Sequence, residues 1–97
     1  MWRDDLELRK KELRAKIDDI DREIIRLIAW RMQHCEEIGE IKARQGSDVY
    51  AQGREQEVFV TRRKWGEDYG LRFKFVRVMF KVIMYESKRR QRELVKA

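Results

Sequence analysis

The sequence predicts an all-α protein with three helices per chain, one very long, one short and one of medium length, intertwined as a homodimer. Three observations lead to this prediction. The 97 residues contain no proline, and apolar residues recur at the helical period of 3.6 residues. Four of the five glycines, all except Gly39, interrupt that pattern and mark breaks between helices. The length is that of one domain, which we assign to residues 1–97.

The first predicted helix runs from about residue 4 to about residue 44 without interruption. Its apolar stripe consists of Leu6, Leu13, Ile17, Ile20, Ile24, Ile28, Cys35 and Ile38. At 1.5 Å per residue such a helix is about 60 Å long, which exceeds what one compact chain of this size can cover. We therefore expect a second copy to cover the stripe, most simply in a dimer.

The remaining chain is predicted to form a loop over residues 45–53 and two further helices. The second helix is expected from about residue 54 to 65, and the third from about residue 73 to 95. Gly66 and Gly70 are expected to mark the end of the second helix and the turn that follows it.

Polar side chains lie on the apolar stripes at six positions, where core residues belong. They are Arg31, Lys42, Glu55, Arg62, Ser87 and Gln91. A buried cation needs a compensating partner, and this set suits a small, multiply charged anion because arginine can bind a carboxylate through two hydrogen bonds. The alternative is that the cations reach solvent or pair with acids across an interface.

Composition argues against several other kinds of site. The sequence has no catalytic serine triad, no pair of metal-ligand histidines and no phosphate-binding glycine loop, so we expect neither a metal nor a cofactor. His34 lies off the stripe and is expected at the surface. The net charge of +6 favours an anionic partner. The single cysteine, Cys35, and the lack of a long apolar run predict a cytoplasmic protein without membrane contact.

Four motifs together resemble the AroQ-type chorismate mutases. They are LRAKIDDIDREIIRLIAWRM, the GEIKARQG that follows, GRE at 53–55 and ESKRRQ at 86–91. The resemblance extends over about residues 6–94 without a gap. It implies a domain-swapped dimer of three-helix chains that converts chorismate to prephenate, on the route to phenylalanine and tyrosine, without a cofactor.

The resemblance also implies a role for individual residues. Arg14 matches the arginine that is lent to the partner's site, and Arg31 matches one that binds a substrate carboxylate. Lys42 and Gln91 match the pair on the substrate's ether oxygen, where negative charge develops. Glu55 matches the acceptor of the ring hydroxyl. Further substrate contacts are implied for Arg54, Ser87 and Ala51.

The family usually has an aspartate and a proline before the Arg-Glu pair, whereas Ala51 stands here at the aspartate position, so its contact would have to come from the backbone N–H. Arg14 precedes Arg31 by about 25 Å along a straight helix and lies about 100° round it, so the two cannot meet one small ligand from the same helix. A partner chain resolves this.

Two other functions stay open at this point. Isochorismate pyruvate lyase has the same fold and most of the cationic site, but Ser87, where the lyase pattern has a bulkier residue, favours the mutase. A basic helical module for nucleic acid or a partner helix is suggested by SKRRQR at 87–92. There, Lys88, Arg89 and Arg92 are expected to project off the stripe as a solvated face, so nucleic acid is not an expected partner.

Overall fold

A computed structural model describes residues 2–48 and 52–96, which form three α-helices and no strand. Helix α1 runs over Trp2–Gln45, α2 over Gln52–Asp68 and α3 over Phe73–Lys96. The predicted all-α class with three helices is therefore confirmed. Helix α2 extends beyond its predicted span of residues 54–65 at both ends. The homodimer and the single domain stay predictions.

Two compact units divide the chain, and the boundary between them lies inside α1. The first unit is Met1–Arg31, and the second is Met32–Ala97. The second unit has a small core, in which the apolar side chains of Met32, Val58, Val76 and Met84 are buried. Burial of side chains from all three helices holds this unit together, because apolar area removed from water is the main stabilising contribution.

The first unit is a helical segment with local stabilisation. Asp4 and Asp5 lie in the first turn of α1, where negative charge is favoured by the helix dipole. Arg26 pairs with Glu23 one turn earlier, with 2.9 Å between guanidinium nitrogen and carboxylate oxygen. Most large apolar side chains of the stripe stay exposed here; Ile17, for example, is 53% exposed, whereas Ile28 is half-buried.

The end of α1 is fixed by Gly46. Its φ of 68° lies in the left-handed region that only glycine adopts readily. Ser47 N–H then donates to the Lys42 carbonyl at 2.9 Å, and Gly46 N–H donates to the Ala43 carbonyl at 3.3 Å. These are the two bonds of a Schellman motif. Lys42 therefore lies in the last closed turn of α1, with its backbone held where the helix stops.

Gly66 lies inside α2, so the prediction that it ends the helix was wrong. A Cβ at this position would come within 2.7 Å of Val76 Cγ2 on α3. The missing side chain thus permits close packing of α2 on α3. From the local sequence alone, a glycine with this role looks the same as a glycine that ends a helix. Gly70, with φ of 77°, makes the turn, and Leu71 N–H donates to the Gly66 carbonyl at 2.8 Å.

Candidate active site

The side chains of Lys42 and Gln91 meet between α1 and α3. Lys42 Nζ donates to Gln91 Oε1 at 3.4 Å, and Gln91 Nε2 donates to the backbone carbonyl of Cys35 at 2.9 Å. Gln91 is only 7% exposed, so these two bonds hold its amide in one orientation. An amide nitrogen carries two hydrogens, and Gln91 therefore retains donor capacity for a ligand beside its bond to Cys35.

Gly39 brings α3 close to α1 at this point. It is buried inside α1, and a Cβ there would lie 3.1 Å from both Cα and Cγ of Gln91. Such distances are shorter than ordinary van der Waals contacts between carbon atoms. The absence of a side chain at Gly39 is thus one reason that Gln91 can reach both Cys35 and Lys42.

Ser87 lies one turn before Gln91 on α3 and is buried as well. Its hydroxyl donates to the carbonyl of Ile83 at 2.9 Å, and Oγ lies 3.6 Å from Met32 Sδ on α1. A serine bonded to the carbonyl four residues earlier is satisfied within its own helix. Its oxygen can also accept a hydrogen bond, so Ser87 adds a neutral polar group to the α1–α3 face that carries Gln91.

Glu55 lies in the first turn of α2 and contacts α3 through Lys88. Lys88 Nζ is 2.6 Å from Glu55 Oε1, with side-chain exposures of 29% for Lys88 and 24% for Glu55. Oε1 is buried without an aligned hydrogen-bond donor, so the contact is an ion pair and not a well-formed hydrogen bond. The neighbouring Arg54 is exposed and pairs with Glu57, one turn further along α2.

Three predicted site residues lie outside the described part of the second unit. Arg14 is exposed and Arg31 half-buried, and both belong to the unit Met1–Arg31. Ala51 lies outside the described residues. The roles implied for these three residues stay predictions.

A second link between α1 and α3 runs through Glu36 and Arg90. Arg90 Nη1 donates to Glu36 Oε1 at 2.8 Å, and Arg90 Nε donates to Glu86 at 3.3 Å. Hydrogen bonds from Arg89, and to a smaller extent from Arg90, lower the pKa of Glu86 below its usual value. Hydrogen bonds to Glu36, and to a smaller extent to Glu86, raise the pKa of Arg90. This network keeps the α3 segment around Gln91 attached to α1 by opposite charges.

The basic run at 87–92 differs from its predicted form. Lys88 was expected on a solvated face, but it is half-buried against Glu55; the interhelical carboxylate attracts it inward. Arg89 and Arg90 are paired with Glu86, and Arg89 also with Glu93. Most cations of the run are therefore matched by carboxylates. This argues against the nucleic-acid module, which needs cations available for phosphates.

Arg62, the remaining polar residue on the predicted stripes, belongs to another part of the second unit. Its guanidinium carbon is 4.5 Å from the centre of the Trp65 ring and 5.8 Å from that of Phe80, within cation–π range. Arg62 also lines an open cleft of about 210 Å³ between α2 and α3. None of the residues with an implied substrate contact lines this cleft.

Sequence reasoning missed Lys88 and Glu36 as neighbours of the site. Lys88 pairs with a residue more than thirty positions earlier, and the two partners of the Glu36–Arg90 pair are 54 positions apart. A weak signal was present for Lys88, since it directly follows the inward Ser87 near the end of the third predicted helix. Helical periodicity gives the direction of a side chain but not the helix that it meets.

Within residues 2–48 and 52–96, no three histidine, cysteine, aspartate or glutamate side chains are grouped so that they could hold a metal ion. Across the same ranges, no helix is both long and apolar enough to cross a membrane. The cytoplasmic location predicted from Cys35 stays a prediction.

Comparison with known proteins gives a consistent picture. Residues 13–92 match the family model described as chorismate mutase type II. The T-proteins of Haemophilus influenzae and Enterobacter agglomerans are 34% and 33% identical over 79% and 77% of this chain. The bifunctional chorismate mutase/prephenate dehydratase of Aquifex aeolicus is 45% identical over 50% of the chain.

The matched segment covers only 20% of each T-protein and 14% of the Aquifex protein. The chain thus spans about one fifth or less of the length of these relatives. The family match itself extends over most of the chain, from the first half of α1 to Arg92 near the end of α3. It includes Lys42, Glu55, Ser87 and Gln91, which the second unit brings to the helix interfaces. This chain belongs to the chorismate mutase type II family.

Proposed function

We propose that the chain is a chorismate mutase, which rearranges chorismate to prephenate in aromatic amino-acid biosynthesis. The observation that carries the proposal is the contact between Lys42 and Gln91, which are 49 positions apart in sequence and 3.4 Å apart in the fold. Family membership suggests the reaction, and this pair offers two donors at one interior point. The name of the Aquifex relative, which includes chorismate mutase, supports the same substrate.

The reaction is a Claisen rearrangement within one molecule. The ether C–O bond breaks while a C–C bond forms, and no proton or electron is exchanged with the protein. Negative charge develops on the ether oxygen in the transition state. A Lys42 ammonium hydrogen and the second amide hydrogen of Gln91 would stabilise that charge, because donors already in position need no reorganisation during the reaction.

Substrate conformation is the second contribution. The two carboxylates of chorismate are proposed to bind Arg31 and Arg54 of one chain and Arg14 of another. Glu55 would accept the ring hydroxyl, and Ser87 would add a polar contact. The free substrate rarely adopts the conformation in which the reacting carbons are close together. Holding it in that conformation lowers the activation barrier strongly, as is general for intramolecular reactions.

The proposed assembly is a homodimer in which Arg14 crosses to the second active site. The apolar stripe of α1 supports it, because Leu13, Ile17 and Ile24 are 41–53% exposed in one chain. Burying these side chains against a second copy would contribute about 25 cal/mol for each Å² removed from water. The stripe and Arg14 lie on the same half of α1, so one contact can both stabilise the dimer and deliver the arginine.

The decisive experiment follows chorismate loss by ultraviolet absorbance for the Lys42→Met variant. Removal of the ammonium should lower kcat about 100-fold to 1000-fold, the usual effect of losing one charge-stabilising donor. The matched control is Lys81→Met, which removes the same charge from an exposed position on α3 and should leave the rate unchanged. An unaltered rate in Lys42→Met would contradict the mechanism.

Mixing two inactive variants tests the shared site. Arg14→Ala and Arg31→Ala chains should each be inactive, and their mixture should regain activity because one site of a mixed dimer carries both arginines. With random exchange, about half of the dimers are mixed, so about a quarter of all sites should be intact. Absence of any recovery after verified chain exchange would exclude the donated Arg14.

A further inference from the structure

We propose that Lys88 is a positioning residue of the active site, which neutralises Glu55 so that a dianion can bind beside that carboxylate. The inference rests on the proposed function, since it concerns the residue that would accept the ring hydroxyl. Its observational basis is the contact between Lys88 Nζ and Glu55 Oε1 at 2.6 Å, between two different helices.

A carboxylate within a site for a dianion creates an electrostatic conflict. Like charges a few ångströms apart repel strongly where water is partly excluded, and Glu55 is only 24% exposed. Its Oε1 atom is buried completely. A cation in contact with Oε1 removes most of this repulsion. Lys88 is the cation that the described part of the chain places there.

The pair also leaves Glu55 able to act. Lys88 occupies the side of Oε1, while a carboxylate offers a second oxygen with its own lone pairs to a hydroxyl donor. Lys88 directly follows Ser87 and precedes Gln91 by one turn, so the same stretch of α3 carries both the proposed ligand contacts and the countercharge. Ser87 contacts α1 through Met32, whereas Lys88 contacts α2.

The ion pairs of Arg89 on α3 differ from this one. Arg89 pairs with Glu86 and Glu93 of its own helix, and its side chain is about half exposed. Pairs of that kind contribute little, because water and salt screen them. Lys88 and Glu55 belong to different helices and are more buried than either Arg89 or Glu93. Their interaction is therefore suited to fix the position and charge of one functional carboxylate.

The test measures KM and kcat for Lys88→Met, which keeps the length of the side chain and removes its charge. KM for chorismate should rise about ten-fold, while kcat should change by less than about three-fold, because the ether-oxygen donors remain. Lys88→Arg should restore KM to within about three-fold of the original chain. Arg92→Met, which removes one charge from an exposed position of the same helix, should leave both constants unchanged.

A double-mutant cycle separates positioning from direct binding. In the Glu55→Gln background there is no carboxylate for Lys88 to hold in position, so adding Lys88→Met should raise KM by clearly less than the roughly ten-fold expected in the original chain. A ten-fold effect that persists in this background would show that Lys88 acts on the substrate itself and would overturn the inference. Lys88→Gln provides a second, polar variant if Lys88→Met does not fold, and the same KM effect is expected of it.

Failure of the inference and failure of the proposed function can be told apart. If the unaltered chain does not convert chorismate, the proposed function is wrong. The other case is an active unaltered chain whose KM is unchanged by both Lys88→Met and Lys88→Gln, with both variants shown to be folded by circular dichroism. In that case only the role of Lys88 is wrong. An equal loss in Arg92→Met would also contradict this role, because net charge alone would then explain the effect.

Discussion

The two compact units of this chain use the same helical pattern in opposite ways. In Met1–Arg31 most of the apolar stripe of α1 is exposed, whereas in Met32–Ala97 apolar side chains of all three helices are buried together. The second unit also buries two polar side chains, Ser87 and Gln91, in the same interior. An apolar stripe therefore shows that a helix face has to pack against another surface. It does not show which helix or which chain provides that surface.

The largest expected effect comes from placing a charge on the exposed stripe. Ile17→Asp should cost little in a single chain, because Ile17 is half exposed, but it should prevent a dimer that buries this face. We expect a monomer in light scattering and an activity loss of about 100-fold or more, since Arg14 would no longer reach a second site.

Its control is Arg22→Gln, which also lowers the net charge by one but lies on the opposite side of α1. Arg22 is exposed, and this variant should remain dimeric and active. If Ile17→Asp also remained dimeric with full activity, the stripe would not be the dimer contact, and the contrast between the two units would need another explanation.

The next largest effect is expected from shortening a core side chain in the second unit. Val58→Ala should lower the free energy of unfolding by about 2 kcal/mol, because Val58 is fully buried and the vacated space cannot collapse completely. Val82→Ala on α3 removes the same two methyl groups from a side chain that is 65% exposed, and should change stability by less than about 0.5 kcal/mol. Thermal and urea unfolding measure both, and equal losses would contradict the assigned core.

A smaller effect is expected from a methyl group at Gly39. The gain in helix propensity from Gly39→Ala is about 0.5–1 kcal/mol, but the added Cβ would lie 3.1 Å from Gln91 Cα. Overpacking of this kind costs about 1–3 kcal/mol, so the clash should prevail and move Gln91 away from Lys42. We expect a lower Tm together with a lower kcat.

Gly53→Ala is the matched control for this substitution. Gly53 lies in α2, and a Cβ there would meet no atom from elsewhere in the described part of the chain within 4 Å. The propensity gain is then unopposed, and the variant should have a slightly higher Tm. If Gly39→Ala behaved like Gly53→Ala in both Tm and kcat, the close approach of α3 to α1 would not matter for the site.

The smallest expected effect concerns pH and the Glu86 network. Because hydrogen bonds from Arg89 and Arg90 lower the folded-state pKa of Glu86, the unfolded chain binds its proton more readily. The resulting stability is present above the unfolded pKa of Glu86 and is lost as pH falls through the lower folded value. Glu86→Gln should therefore reduce the decrease in Tm between neutral and acidic pH. An unchanged decrease would show that the network does not contribute in solution.

Part of the candidate site was accessible from the sequence because helices have a fixed period. Ser87 and Gln91 lie one turn apart on the α3 stripe, and both are buried as their spacing predicted. Lys42 lies in phase with the α1 stripe and contacts Gln91. Periodicity located these side chains on inward faces, and the family resemblance suggested which of them act together.

Other features depended on distances between helices, which no local pattern contains. Gly66 has the sequence signature of a helix stop, yet it is a packing position against Val76. Lys88 has the signature of a solvated residue in a basic run, yet it pairs with Glu55 on another helix. In each case the local preference is worth about 1 kcal/mol or less, so tertiary contacts decide the outcome.

The sequence by itself determined the helical class, the order of the three helices and the inward direction of Lys42, Ser87 and Gln91. It could do so because hydrogen bonding within a helix and the burial of one face both follow from residues a few positions apart. Only the tertiary structure decided which helices meet at Gly39 and Gly66, and how Glu55 acquires its countercharge. These outcomes depend on packing and electrostatics between residues far apart in the chain, which are settled when the whole unit folds.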